Sequence, residues 1–63
     1  MNLKRGTKFI HKRWLDDKSQ PLVCEVTRVA QGVVYWKVEG ERKARQYFPI
    51  PDADQYVKEI LPA

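Results

Sequence analysis

Apolar, β-branched and aromatic residues gather in four runs along the chain: Lys8 to Trp14, Leu22 to Val29, Val33 to Val38, and Ala44 to Phe48. Turn-forming residues separate them, so each run predicts a β-strand. The interval Ala30-Gln31-Gly32 predicts a three-residue hairpin loop, with Gly32 supplying the positive φ needed at its end. With Val29 opposite Val33, Thr27 faces Tyr35 and Glu25 faces Lys37 on one side of the sheet. Val26 then faces Trp36, and Cys24 faces Val38, on the other side. Beyond the turn around Glu39 to Lys43, pairing Val38 with Ala44 sets Trp36 beside Gln46 and Val34 beside Phe48. The opposite face then carries Lys37 beside Arg45 and Tyr35 beside Tyr47. A slip of one residue would mix the polar and apolar sets, which is why this register is expected.

After Phe48-Pro49-Ile50-Pro51, Asp52 with Gln55 three residues later has the spacing of a capping box. A short helix over 53–61 follows, with Tyr56 and Ile60 on one stripe and Pro62 ending it. The expected core is Leu22, Cys24, Val26, Val34, Trp36, Val38, Phe48 and Ile60. No repeat or linker divides residues 1–63, so one domain is expected, with a flexible basic segment over 1–6. The fold class is mainly β, a small antiparallel barrel of four to five strands with a short C-terminal helix. A chain of this size buries only roughly 60% of its unfolded surface and holds a stability margin of about 3–5 kcal/mol, too little to support a deep active-site cleft as well.

Charge adds a functional direction. Twelve Lys and Arg against eight Asp and Glu give a net charge of +4, and the distribution is uneven. Residues 1–13 carry Lys4, Arg5, Lys8, Lys12 and Arg13 with no acid, whereas Asp52, Asp54 and Glu59 dominate the C-terminal end. Such a basic cluster can neutralise phosphates and release counterions whatever the base sequence, although the same charges also keep a small domain soluble. Tyr35 and Tyr47, flanked by Lys37 and Arg45, have the make-up of a stacking platform for unpaired bases, or of an ordinary cross-strand pair. Trp14, next to the first loop, is a further ligand candidate; Trp36 lies on the apolar face and reads as core.

Catalytic chemistry finds little support. Cys24 is the single cysteine, so no intrachain disulfide can form, and a cytoplasmic setting is expected. Its alternation with Leu22 and Val26 makes it a small buried hydrophobe. His11 has no second His, Cys or carboxylate cluster at ligand spacing, so no metal is expected. Asp16 and Asp17 suit turn formation, and no glycine motif cradles phosphate. No cofactor is implied. The N-terminus runs straight into charged residues, and no membrane-spanning stretch is expected.

The succession of short strands, long first loop and tight later hairpins over about residues 6–61 resembles an SH3-like small barrel of the Tudor, KOW and chromo type. Arg45-Gln46-Tyr47-Phe48, followed by Pro49-Ile50, is also similar to the late-strand Val-Gln-Ile-Tyr segment of the plasmid-borne dihydrofolate reductases, with Gln46 the matching residue. That second resemblance would imply an oligomeric reductase with Gln46 and Tyr47 lining a shared pore. The residues themselves favour a non-catalytic module that binds nucleic acid with little sequence preference through Lys4, Arg5, Lys8, Lys12, Arg13, Trp14, Tyr35, Lys37, Arg45 and Tyr47. A protein-interaction module, with a protein partner or a second copy of the chain as its ligand, is the alternative.

Overall fold

In the computed structural model, which describes residues 3–43 and 46–62, the four runs become strands β1 (Lys8–Leu15), β2 (Pro21–Ala30), β3 (Val33–Val38) and β4 (Gln46–Pro49). A 3-10 turn (Ile50–Asp52), one turn of helix α1 (Ala53–Tyr56) and a fifth strand β5 (Val57–Ile60) complete the chain. All pairings are antiparallel, in the order β4-β3-β2-β1-β5. The sheet curls into a half-barrel compatible with an SH3-like layout.

The β3–β4 register is the expected one: Val34 pairs with Phe48, Tyr35 with Tyr47, and Trp36 with Gln46. Ala44 and Arg45, and with them the expected pairs Val38–Ala44 and Lys37–Arg45, lie outside the described residues. The β2–β3 register agrees over Cys24–Val38, Glu25–Lys37 and Val26–Trp36, then shifts. Arg28, not Thr27, faces Tyr35, and Val29 faces Val34. A bulge at Thr27 causes the shift, and it shortens the hairpin loop to the two residues Gln31 and Gly32. Both have positive φ, 53° and 76°, the signature of a type I′ turn, whose twist matches that of the flanking strands. The three-residue loop expected from sequence is therefore corrected.

The C-terminal helix is also shorter than expected. It ends at Tyr56, because Val57 is already extended (φ −101°, ψ 116°), and a β-branched residue beside the open edge of β1 gains more from sheet pairing than from helix. Phe9 pairs with Ile60, Ile10 with Glu59 and His11 with Val57. Asp52 makes no side-chain capping bond.

The switch to strand moves the core contact from Ile60, 38% exposed, to Val57. The core comprises Phe9, Cys24, Val26, Val34, Trp36, Phe48, Ala53 and Val57, with Leu22 and Val38 only partly buried against it. Phe9 is the large residue that the expected core lacked. Its ring meets Trp36 at 5.8 Å and Phe48 at 6.2 Å, both edge-on.

The two outer strands are blunted. Pro49 brings no N–H to β4, and the β1–β5 shift leaves Lys58 as an unpaired bulge residue on β5. A proline and a charged bulge both discourage edge-to-edge pairing. Among the described residues, no helix is long and apolar enough to cross a membrane.

Candidate functional site

The bulge in β2 determines the outer face of the sheet. By inserting Thr27, it turns both Thr27 and Arg28 away from the core, and the Thr27 hydroxyl donates to the Tyr35 carbonyl at 3.2 Å. Arg28 thereby joins Tyr35 and Tyr47 in a row across β2, β3 and β4. Its guanidinium carbon sits 4.5 Å from the Tyr35 ring centroid, a cation–π arrangement. The two tyrosine rings lie 5.9 Å apart at 44°. Tyr47 is 67% exposed, so its ring is the open aromatic surface of the row.

Arg28 is the residue that the sequence reading missed. Two consecutive polar residues, Thr27-Arg28, between the inward-facing Val26 and Val29 break strict alternation, and that break is the sequence mark of a bulge.

The five N-terminal basic residues do not form one patch. A turn over Lys4–Thr7, closed by the Thr7 amide donating to the Lys4 carbonyl at 3.0 Å, is tied to β2 through Gly6 N–H to Val26 O and Val26 N–H to Thr7 O. Lys4 and Arg5 therefore stand beside β2 just before the bulge. Together with Lys8 they border a groove of about 580 Å³ whose other wall is Ile60, Leu61 and Pro62. Lys8 is compensated: it pairs with Glu39 at 2.6 Å, which holds its ammonium above the usual lysine pKa, and it lies opposite Glu25 in the sheet. Lys37 lies opposite Glu25 on the other side and donates to the Glu41 carbonyl at 2.6 Å. Acids thus punctuate the row Lys8–Glu25–Lys37.

Lys12 and Arg13 sit at the far end of β1. Lys12 donates to the Asp54 carbonyl of α1 at 2.7 Å, within the acidic segment. Arg45 lies outside the described residues.

Trp14 belongs to a different environment. It stacks on His11 at 4.9 Å and 24°, and meets Trp36 edge-on at 5.5 Å. Trp36 points inward from β3 whereas its neighbour Tyr35 points outward, so Trp14 and the tyrosine pair are on opposite sides of the sheet. His11 is buried at 4% exposure. Its Nδ1 accepts the backbone N–H groups of Arg13 at 3.1 Å and Trp14 at 3.0 Å. Burial, and then the nearby Arg13 charge, hold its pKa below the ordinary 6.5.

Asp16 Oδ1 accepts the amides of Lys18 and Gln20 at 2.9 and 2.8 Å, the turn role expected of it. Cys24 is fully buried. Among the described residues, no group of three His, Cys, Asp or Glu is placed to hold a metal ion. No family model, curated protein or solved structure matches this chain.

Proposed function

We propose that the chain is a non-catalytic module that binds nucleic acid with little sequence preference through the outer face of β2, β3 and β4. The observation that carries this reading is the row of Arg28, Tyr35 and Tyr47, exposed at Arg28 and Tyr47 and half-buried at Tyr35. Beside it stands the turn bearing Lys4 and Arg5, neither in a salt bridge among the described residues. Aromatic rings on a sheet surface stack on unpaired bases, and adjacent cations take the phosphates. Nothing in that pairing reads base identity, so sequence preference is small. Lys12 and Arg13 serve as a distant positive field, weakened by the acidic segment around Asp54.

Polarisation titrations with single- and double-stranded oligonucleotides at two salt concentrations test this. Binding is expected to weaken steeply with salt. Tyr47→Ala should cost single-strand affinity about 1–3 kcal/mol and duplex affinity less, because paired bases offer no free face for stacking. Absence of binding to either form at low salt and micromolar protein would overturn the proposal, and a peptide would then be the natural candidate for the same face.

A further inference from the structure

The outer face also constrains how a bound strand lies. Resting on the nucleic-acid reading above, we infer that the ligand is a short single-stranded segment crossing the β-strands. One base lies on Tyr47, the next on the Arg28–Tyr35 pair, and the following phosphate lies at the Lys4–Thr7 turn.

The spacing of the rings excludes a continuous stack. Tyr35 and Tyr47 are 5.9 Å apart and tilted by 44°, whereas successive bases in a duplex strand are separated by about 3.4 Å. Two neighbouring bases can meet these rings only when splayed apart, which a duplex cannot offer.

Arg28 gives the segment its direction. A guanidinium held over Tyr35 presents a second planar face to a base and leaves N–H donors for a phosphate, a combination that lysine lacks. Beyond Arg28, in the direction away from Tyr47, stands the turn bearing Lys4 and Arg5, held to Val26 by the Gly6 and Thr7 bonds. With strands about 4.8 Å apart, the track from β4 across β3 and β2 to that turn is roughly 14 Å. That length suits two splayed bases and one further phosphate. In the adjacent row Glu25, between Lys8 and Lys37, and Glu39 on Lys8 cancel the two lysine charges, so that row offers phosphates no net attraction and the strand favours the Arg28 row.

The test is a binding series with oligothymidylates of two, four, eight and sixteen nucleotides on the whole chain, repeated with Arg28→Lys and Arg28→Ala. Circular dichroism confirms that each variant is folded. Affinity is expected to level off by four nucleotides, apart from the statistical gain of overlapping sites. Arg28→Lys should weaken binding at least 5-fold, the low end of a lost base stack, at an unchanged salt slope. Arg28→Ala should also lower the slope by about one. An Arg28→Lys variant that binds like the parent chain, or affinity that climbs to sixteen nucleotides by more than the statistical gain of overlapping sites, would overturn the inference while leaving the nucleic-acid reading in place. No binding by any oligonucleotide would overturn both.

Discussion

His11 illustrates how one side chain can be structural without being a ligand. Its Nδ1 takes two backbone N–H groups at the bend of β1, so the neutral ring satisfies donors that the bend strips from the ladder. A proton on Nδ1 would remove both bonds. Since burial and Arg13 lower its folded pKa below 6.5, the unfolded chain binds the proton first as pH falls. The stability this group contributes is complete above about pH 6.5 and is lost as pH drops through the folded value. The urea midpoint of the parent chain should therefore fall between pH 7 and pH 5 more than that of His11→Gln; parallel pH profiles would refute the assignment. Trp36 makes the complementary case. Its ring touches Phe9, His11 and Trp14, and Trp36→Ala should cost about 3–5 kcal/mol, comparable to the whole margin of so small a domain. Native-like chemical shifts in that variant would contradict a central core role. Trp36 was legible as core because it alternates with polar neighbours. Phe9 was not, since His11 and Arg13 share its parity and made that face look polar.

At the scale of elements, alternation was informative wherever a strand ran without interruption. The whole described β3–β4 register and the Cys24–Val26 half of β2 follow from it. It fails at the irregularities in β1, β2 and β5, because one extra residue reverses every later side chain without changing composition. The C-terminal segment failed for a different reason: four residues of helix followed by four of strand carry too few residues for either period to declare itself. The type I′ hairpin offers a direct check. A Cβ at Gly32 would meet nothing within 4 Å, so Gly32→Ala isolates the backbone cost of φ 76°, about 1–2 kcal/mol. A thermal melt unchanged by the substitution would show that the turn is not held in the left-handed region.

For the molecule as a whole, the fold divides the basic residues between two ends, a division that a linear reading could not reveal. Lys4 and Arg5 stand in the turn tied to Val26 of β2, while Lys12 reaches back to α1. Arg5→Gln should lower the salt slope of oligonucleotide binding by about one, and Lys12→Gln should leave it nearly unchanged. Equal effects would place the ligand elsewhere.

The bulge at Thr27 also bears on how this chain can vary in length. Without Thr27, Val26–Trp36 would be followed directly by Arg28–Tyr35, and every pair now present in the hairpin would persist in an uninterrupted ladder. Position 27 is therefore a place where a descendant sequence can lose a residue without re-registering its neighbours. What such a deletion alters is curvature: a bulge bends its strand and raises the local twist, so β2 without it would be straighter, making a change of one in chain length an adjustment of shape rather than of fold.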